Sequence, residues 1–547
     1  MQNFDVIVIG GGHAGTEAAA AAARRGARTL LITMRESDLG AMSCNPSIGG
    51  PGKSQMVAEM DALGGVMPRA ADMAGIHFRT LNASHGPATQ ALRAQIDREL
   101  YHNAVMKILQ NQKNLTVQFE KVESIDLENK IINGAYVAKS VVFTTGTFLR
   151  GVVTMGGEKI PSGRIMDNGE HQSPDTVISG VLRDFGFDII RLKTGTPARI
   201  YRDSIDFSVC EEQLPDTPHD WFSDGCDVDN NTAVCFITHT TPETHKIIRQ
   251  NIKNAPMYNG DITGIGPRYC PSIEDKVMRF PDHETHHVFL EPEGLHSDLI
   301  YPNGISTSFG ADIQDQWIRT IPGLENARFA RYGYAIEYDA IDARAIDKHL
   351  MARMAGGLFF AGQINGTSGY EEAAAQGLVA GANAAAFALC APTLDLDRTN
   401  SMIGVMIDDI TTMGVDEPYR MFTSRAEYRL NLRADNAIAR IGQIGVDLGL
   451  IELPAFLNKM NKKAGKISEN DKFYAGYIMR NNREIESYRR DKEIKIPTDF
   501  DYDNMPGLTR ELCEKLKRVR PANIAELQKI PGMTPAGIMV VLRKVKC

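Results

Sequence analysis

The first fifteen residues constrain this chain more than any other part of it. The apolar run Phe4–Ile9 ends in Gly10-Gly11-Gly12-His13-Ala14-Gly15, and the alanine-rich segment Thr16–Arg25 follows. A buried strand, a Gly-x-Gly-x-x-Gly turn and a helix in this order form the dinucleotide-binding fingerprint. Its glycines permit a tight turn, a close approach to a pyrophosphate, and close packing of the helix on the strand. We therefore predict a phosphate-binding helix N-terminus at the start of the chain.

The bulk composition is that of a globular protein. The chain has 547 residues, of which 43% are hydrophobic and 23% charged, and its length suggests about three or four domains. It contains no apolar run long enough to span a membrane, and a strand that begins at Phe4 leaves no room for a leader peptide. Eight cysteines without paired spacing predict reduced thiols and a cytoplasmic protein. The net charge of -8 argues against a wholly basic nucleic-acid binder but leaves local basic patches open.

Other segments extend the predicted sheet. Arg28–Thr33 and Ser140–Thr145 are short apolar runs of strand length, and Gly357–Gln363 repeats the pattern late in the chain. We predict a helix over Ala88–Gln110. An acidic residue at the end of the second strand would hold a ribose, but Glu36 is poorly placed for this role, so the ribose contact is not identified.

These segments predict an α/β fold with a split Rossmann-type domain. Turns, prolines and histidines dominate the middle of the chain, which indicates an inserted α+β domain, and the last part is helical and charged. The lysine- and arginine-rich stretches Asn458–Lys466 and Arg480–Lys495 are interpreted as exposed helix faces or a linker. The predicted divisions are the first part of the dinucleotide domain at 1–150, the inserted substrate domain at 151–338, the completing part at 339–398, and the all-helical C-terminal domain at 399–547.

Cys44 lies in a loop just beyond the second strand. A two-cysteine redox centre is absent, because Gly49 occupies the position of the second cysteine of a Cys-x-x-x-x-Cys pair. Cys44 is therefore either a nucleophile or a small buried hydrophobic residue. The nearby run Gly49–Ser54 imitates a phosphate-binding loop, but Ser47 stands where such a loop needs a glycine and no strand is predicted before it. We reject a nucleoside-triphosphatase site there.

A second cysteine, Cys270, lies between a tyrosine and a proline in the stretch Gly266–Lys276. The residue before a proline is pushed towards extended conformations, so Cys270 is predicted on a loop, where functional side chains are often presented. Arg268 and Lys276 would favour its thiolate and attract an anionic substrate.

No metal site is predicted. Three further cysteines lie near two histidines, but their spacings match no zinc pattern; these residues are Cys210, His219, Cys226, Cys235 and His239.

Arginines alternate with aromatic residues between Glu417 and Arg433. Arg425, Arg429 and Arg433 are four residues apart, which predicts one basic helical face. Such a face suits phosphate contacts, and Tyr419 or Tyr428 could stack on a base. A solvated or salt-bridged helix face is the alternative.

Taken together, these motifs resemble the MnmG/GidA family, the flavin-dependent subunit of the bacterial tRNA wobble-uridine modification enzyme. The resemblance runs from Phe4 to about Gly449 and from about Tyr474 to the end. It is carried by the fingerprint with His13, the Cys270 loop, and the segments Gly40–Pro46, Leu192–Pro197, Glu291–Leu295, Tyr301–Thr307, Gly362–Thr367 and Glu417–Arg433.

The resemblance implies a reaction and its participants. The family binds FAD, uses NADH to reduce it, and works with the GTPase MnmE as a homodimer within a heterotetramer. A one-carbon unit from methylenetetrahydrofolate and nitrogen from glycine or ammonium become an aminomethyl or carboxymethylaminomethyl group on carbon 5 of the wobble uridine of tRNA.

The resemblance also assigns residues. The functional cysteines would be Cys44 and Cys270. Contacts to FAD would come from Gly10, Gly11, Gly12, His13, Ala14, Gly15, Val122 and Gln363. The NADH site would be lined by Gly266, Pro267, Arg268, Tyr269, Cys270, Pro271, Ser272, Ile273, Glu274, Asp275, Lys276, Val277, Met278, Arg279 and Phe280. The tRNA-binding residues would be Arg420, Arg425, Arg429 and Arg433.

Chemical reasoning agrees with these roles. Carbon 5 of uracil is a poor nucleophile, and addition of a thiolate at carbon 6 would activate it. We assign Cys270 as that nucleophile and Cys44 as its helper at the flavin. Two alternatives remain open: a folate- and FAD-dependent methyltransferase that makes 5-methyluridine in the T loop, and a non-catalytic flavin-containing scaffold that binds tRNA or MnmE.

Overall fold

The computed structural model describes residues 1–166, 169–268, 271–503, 505–530 and 532–545. The strands are β1 (Gln2–Ile9), β2 (Thr29–Thr33), β3 (Ser47–Gly49), β4 (Gly75–Leu81), β5 (Ala91–Ile96), β6 (Leu115–Phe119), β7 (Ile125–Asp126), β8 (Ile131–Ile132), β9 (Tyr136–Phe143), β10 (Val152–Met155), β11 (Glu158–Pro161), β12 (Arg164–Ile165), β13 (His171–Gln172), β14 (Ile189–Thr196), β15 (Arg199–Tyr201), β16 (Glu211–Gln213), β17 (Cys235–His239), β18 (His287–Pro292), β19 (Leu299–Asn303), β20 (Phe329–Arg331), β21 (Tyr334–Ile341) and β22 (Leu358–Phe360).

The α-helices are α1 (His13–Arg24), α2 (Lys53–Ala62), α3 (Val66–Ala74), α4 (Arg98–Gln110), α5 (Val177–Asp184), α6 (Pro242–Gln250), α7 (Ile273–Arg279), α8 (Ala311–Ile318), α9 (Tyr370–Leu389), α10 (Met402–Met413), α11 (Ala437–Asp447), α12 (Leu453–Phe473), α13 (Ala475–Glu493), α14 (Arg510–Val519), α15 (Ile524–Gln528) and α16 (Pro535–Val545). Together these elements confirm the predicted α/β class with a helical C-terminal part.

The central sheet is parallel and is completed from two distant parts of the chain. Its order is β6-β2-β1-β9, with the short antiparallel strands β8 and β7 beyond β9. β22 also pairs in parallel with β9, so Phe359 lies beside Val142. Strands buried on both faces are expected to be continuous apolar runs, and Val6–Val8 are fully buried. The late completion of the sheet is the split arrangement predicted from the sequence.

Helices α1 and α9 pack on each other without intervening side chains. A Cβ atom on Gly377 would overlap the carbonyl oxygen of Ala14, and one on Gly381 would overlap that of Ala18. Small residues therefore allow the two backbones to approach closely. This contact brings the N-terminus of α9, at Tyr370, beside the N-terminus of α1, at His13, with ring centroids 4.5 Å apart.

The middle of the chain forms two antiparallel sheets. One has the order β11-β10-β21-β14, and the other has the order β16-β17-β18-β19-β15-β20. The second sheet packs with α6, α7 and α8 around a separate core that includes Trp317, Phe309 and Leu290. An insertion with its own core is what the change of composition predicted.

The C-terminal helices are tied to the rest of the protein by ion pairs. The stretch interpreted as an exposed face or linker is part of α12, and its lysines bind acidic groups of α2 and the insertion: Lys459 to Asp61 at 2.7 Å, Lys462 to Asp224 at 2.9 Å, and Lys466 to Asp220 at 2.8 Å. Lys459 is buried in this contact. The interpretation of this face as merely solvated is therefore wrong at Lys459.

Three local predictions are corrected by the structure. The predicted helix over Ala88–Gln110 begins only at Arg98, because Ala91–Ile96 form β5 between β3 and β4. A strand, β3, does precede the Gly-Lys-Ser run, although none was predicted. The arginine segment is not a helix, since only Thr423–Arg425 form one short 3-10 turn.

None of the helices in the described residues is both long and apolar enough to cross a membrane. The described residues also contain no group of three or more histidine, cysteine or acidic side chains suited to a metal ion.

Replacing Gly15 tests the packing of α1. A Cβ atom there would overlap the carbonyl oxygen of Gly10, so Gly15→Ala forces the helix away from β1. Overpacking of this kind costs about 1–3 kcal/mol, and we expect a lower midpoint of thermal unfolding. Gly180→Ala in α5 is the matched control, because a Cβ atom there meets open space and alanine favours a helix. An unchanged midpoint for Gly15→Ala would contradict this account.

Candidate functional site

A cleft of about 660 Å³ lies between the end of the central sheet and the insertion. Its walls come from the glycine turn, the Cys44 loop, the segment Thr144–Phe148, the segment Thr194–Pro197 and the start of α9. In parallel α/β sheets, ligands bind beyond the carboxyl ends of the strands. The cleft occupies that position and has a volume usual for a small-molecule site.

The glycine turn supplies one wall of this cleft. Gly10 adopts φ +106°, a conformation that side chains rarely allow. Gly12 lines the cleft, and a Cβ atom on it would project into open space. Gly15 lies behind the turn and packs the helix on the strand, as predicted. The predicted FAD residues that line the cleft are Gly10, Gly11, Gly12, His13, Ala14, Val122 and Gln363.

Buried polar side-chain atoms with no hydrogen-bond partner in the described part of the chain lie on the cleft wall. They include Nε2 of His13 and Oγ1 of Thr145. Burial lowers the pKa of His13 to about 4, so its imidazole is neutral at pH 7. Buried polar groups normally have partners. These two atoms and the open space at Gly12 fit a polar ligand such as a dinucleotide in the cleft.

Cys44 is half-buried on the cleft wall and is held from several sides. Its backbone N–H donates to the hydroxyl of Tyr370 at 2.6 Å. Its Sγ lies 3.3 Å from the hydroxyl of Tyr301. Arg98 and Arg199 both donate to its carbonyl oxygen, at 2.5 and 3.0 Å. Of the two roles left open by the sequence, this placement favours a functional thiol.

Lys53 forms an ionic group that sequence reasoning missed. Its Nζ binds Glu371 at 2.7 Å and Glu372 at 3.1 Å, and both glutamates are buried at the start of α9. Burial by itself would raise the pKa of Glu371, but Lys53 outweighs it and holds the pKa below its ordinary value. The Gly-Lys-Ser run that imitates a phosphate loop thus supplies a lysine to two carboxylates.

The acidic residue that lines the cleft just after β2 is Asp38 rather than Glu36. Asp38 lines the cleft and accepts hydrogen bonds from Arg164 at 2.6 Å and Gln172 at 3.1 Å. Both donors come from the insertion, so spacing along the chain gave no signal for this contact.

The predicted NADH segment lies only partly at the cleft. Pro271 and Lys276 line it, whereas Glu274 is buried and accepts from Thr307. Met278 and Phe280 are exposed. Tyr269 and Cys270 lie outside the described residues.

The four arginines predicted to bind tRNA do not share a helical face. Arg420 lines the cleft and Arg429 is exposed. Arg433 is fully buried and binds Asp435 and Asp471 at 2.9 and 2.6 Å.

Arg425 lies over the ring of Tyr419, 4.1 Å from its centre. Tyr419 and Tyr428 are both buried, so the expectation that they stack on a base is wrong in this conformation.

A parallel sheet whose first strand ends in a glycine turn at a large cleft defines a dinucleotide-binding α/β protein with an inserted domain. A family model described as glucose inhibited division protein A matches residues 5–391. A second model, described as the tRNA modifying enzyme MnmG/GidA C-terminal helical bundle, matches residues 484–547.

Solved structures agree with both family models. Aquifex aeolicus GidA in its form I crystal is 43% identical, with a TM-score of 0.88 and coverage of 100% of both chains. The form II crystal gives 42% identity and a TM-score of 0.87, with coverage of 100% of this chain and 99% of that chain. The chain belongs to the MnmG/GidA family of FAD-dependent tRNA-modifying enzymes.

Removing the cation of Lys53 tests the ionic group at α9. Lys53→Met leaves Glu371 and Glu372 buried without that partner, which costs about 3–5 kcal/mol, so we expect a clearly lower thermal midpoint at pH 7. The lowered pKa of Glu371 gives stability that is present above its ordinary value of 4.5 and lost as the pH falls below it. The difference in thermal midpoint between Lys53→Met and the original protein should therefore become smaller below pH 4.5.

The matched control is Lys139→Met, which removes an exposed ion pair with Asp5. Exposed pairs contribute about 0–1 kcal/mol, so this midpoint should barely move. Equal effects of the two substitutions would refute the special role of Lys53.

Proposed function

We propose that this protein, with the GTPase partner MnmE, adds an aminomethyl or carboxymethylaminomethyl group to carbon 5 of the wobble uridine of certain tRNAs in the cytoplasm. FAD, NADH and methylenetetrahydrofolate would take part, and the protein would act as a homodimer within a heterotetramer. The observation that carries this proposal is a firmly held thiol, Cys44, on the wall of a dinucleotide cleft in a member of this family.

The residues of the cleft fit FAD. The glycine turn from Gly10 to Gly15 and the N-terminus of α1 would hold the pyrophosphate, with Val122 and Gln363 as further contacts. When bound, FAD supplies the transfer of a methylene group or a hydride, which no side chain offers. His13 stays neutral and so adds no charge next to the cofactor.

The thiols supply nucleophilic catalysis. In our proposal the Cys270 thiolate adds to carbon 6 of uracil, which places an electron pair on carbon 5 as an enolate. Carbon 5 then bonds to the one-carbon unit, loses its proton, and the thiolate leaves carbon 6. Cys44 would assist at the flavin.

The remaining assignments concern binding. NADH would approach along the segment Gly266–Phe280, where Lys276 faces the cleft and carries a positive charge suited to a phosphate. Of the four arginines predicted to bind tRNA, Arg429 is exposed and Arg420 lines the cleft, which supports contacts of these two with tRNA. Arg425 packs on Tyr419 and Arg433 is buried, so in our proposal they support the segment. We retain the divisions at 1–150, 151–338, 339–398 and 399–547 as the proposed domains, the last one for tRNA and partner binding.

Nucleoside analysis tests this function. The protein is incubated with tRNA, MnmE, GTP, FAD, NADH, methylenetetrahydrofolate, and glycine or ammonium. Aminomethyl-type nucleosides at the wobble position are expected. 5-Methyluridine in the T loop would instead support the methyltransferase, and no new nucleoside with FAD bound would support the scaffold.

Replacing Cys270 separates chemistry from cofactor binding. Cys270→Ser should abolish the modification, since a hydroxyl is a far weaker nucleophile than a thiolate, while the FAD content stays unchanged. Cys390→Ser is the control, because Cys390 is exposed at the end of α9. Normal tRNA modification by Cys270→Ser would contradict the assignment of Cys270 as the nucleophile.

Replacing Arg429 tests the tRNA surface. Arg429→Ala should weaken tRNA binding, because one phosphate contact is lost. The slope of the logarithm of the binding constant against the logarithm of the salt concentration should become shallower by about one. The thermal midpoint should not change. Arg433→Ala should instead lower the midpoint, because it breaks a buried ion pair. Fluorescence anisotropy over a salt series measures the first effect. Unaltered affinity and salt dependence in Arg429→Ala would exclude this residue from the interface.

A further inference from the structure

A buried charge cluster lies directly behind Cys44. Arg98 and Arg199, which both donate to the Cys44 carbonyl, also bind the same carboxylate oxygen of Glu293, at 2.8 and 2.5 Å. The attraction of the arginines outweighs burial and lowers the pKa of Glu293 to about 2, so the trio carries two positive charges and one negative charge. Burying charges costs desolvation, and apolar residues of similar volume often stabilise a fold as well. Stability alone therefore does not account for this cluster.

Arg199 connects the three chain segments that surround the thiol. Its Nε binds Glu293, its Nη1 donates to Thr196 Oγ1 at 2.9 Å and to the Pro197 carbonyl at 2.7 Å, and its Nη2 binds the Cys44 carbonyl. Its guanidinium carbon also lies 4.5 Å from the centre of the Tyr301 ring. The planar guanidinium presents donors in a fixed fork, so one side chain sets the relative positions of all three segments.

The contacts of the sulfur atom lie next to these partners of Arg199. Cys44 Sγ lies 3.3 Å from the Tyr301 hydroxyl and 3.8 Å from the carbonyl oxygen of Gly195, the residue before Thr196. Arg199 thus binds the backbone of Cys44, packs on the ring of Tyr301 and binds Thr196, the neighbour of Gly195. Arg199 itself is fully buried and does not line the cleft.

We propose that Arg199 is a positioning residue for Cys44, and that it holds the thiol at the cleft with Tyr301 as the group that donates a hydrogen bond to its thiolate. The importance of this role for tRNA modification rests on the proposed function of Cys44. The positioning of the thiol by Arg199 does not depend on that function.

The charge of Arg199 lies beside the same thiol. Burial opposes that charge, but the carboxylate of Glu293 raises the pKa of Arg199 above its ordinary range. The guanidinium therefore stays charged and favours the approach of a negatively charged reagent.

The reactivity of Cys44 gives a direct test in the full-length protein. Iodoacetamide, which is neutral, and iodoacetate, which is anionic, are reacted with the protein at pH 7, and alkylation of the Cys44 peptide is followed by mass spectrometry. Flavin content, thermal midpoint, and kcat and KM for tRNA are measured on the same samples. The variants are Arg199→Met, Arg199→Lys and Tyr301→Phe.

Each variant has its own expected result. Arg199→Met should slow alkylation of Cys44 by about tenfold, because the hydrogen bonds that hold the thiol loop are lost. It should also reduce the preference for iodoacetate, because the positive charge is lost. Arg199→Lys should keep that preference but lower kcat by about tenfold with KM unchanged, because an ammonium cannot replace the fork. Tyr301→Phe removes one oxygen atom, keeps the ring beneath Arg199, and should slow alkylation by about threefold or more.

The matched control is Arg191→Met in β14. Arg191 also donates to a carbonyl, that of Arg150, and to a buried carboxylate, that of Asp339. Neither of these residues is a hydrogen-bond partner of Cys44. Arg191→Met should leave the alkylation rates and kcat unchanged.

Two outcomes overturn the proposal. One is unchanged Cys44 reactivity and kcat in folded, flavin-containing Arg199 variants, and the other is unchanged alkylation in Tyr301→Phe if the Arg199 variants do not fold. A different result is expected if the proposed function of Cys44 is wrong. In that case Cys44→Ser would modify tRNA normally, while the Arg199 variants would still show a changed rate of Cys44 alkylation.

Discussion

The close approach of α1 to β1 and to α9 is the constraint on which the cleft depends. Gly15 lets α1 lie against the turn at Gly10, and Gly377 and Gly381 let α9 lie against α1. Because neither contact leaves room for a side chain, the N-termini of both helices meet at one edge of the sheet. The same packing that forms the glycine turn, our proposed pyrophosphate site, therefore places Tyr370 where its hydroxyl accepts the Cys44 N–H.

Two ionic groups fix the rest of the cleft. One joins Lys53 of α2 to Glu371 and Glu372 of α9, and the other joins Arg98 and Arg199 to Glu293. Each group connects segments that are far apart in the sequence, and each has carboxylates that are almost completely buried. Buried charges contribute little net stability, but their directional hydrogen bonds specify one arrangement of the loops. The thiol chemistry proposed for this protein needs that kind of precision.

Predictions from the sequence are confirmed where the pattern is local, and they fail where a residue's contact partners lie far away in the chain. The glycine fingerprint, the helix α1 that follows it and the late strand are confirmed, because glycines and apolar runs determine the conformation of their own neighbouring residues. The helix predicted over Ala88–Gln110 begins late, since pairing with β3 and β4 overrides the helical preference of Ala91–Ile96. The predicted basic face is absent because only Thr423–Arg425 form a short 3-10 turn, and because Arg433 is buried in ion pairs with Asp435 and Asp471. Asp38 was missed because its donors come from the insertion.

The sequence by itself determined the fold class, the glycine turn with its helix, the late completion of the sheet and, by resemblance, the family. These properties depend on backbone conformation and on apolar periodicity, which neighbouring residues control. Only the tertiary structure decided which polar groups meet at the cleft. Cys44, Tyr301 and Arg199 are brought together by the packing of the insertion on the dinucleotide domain. Contacts between residues this far apart in the sequence leave no periodic signal in a single chain, so their chemistry becomes visible only after folding.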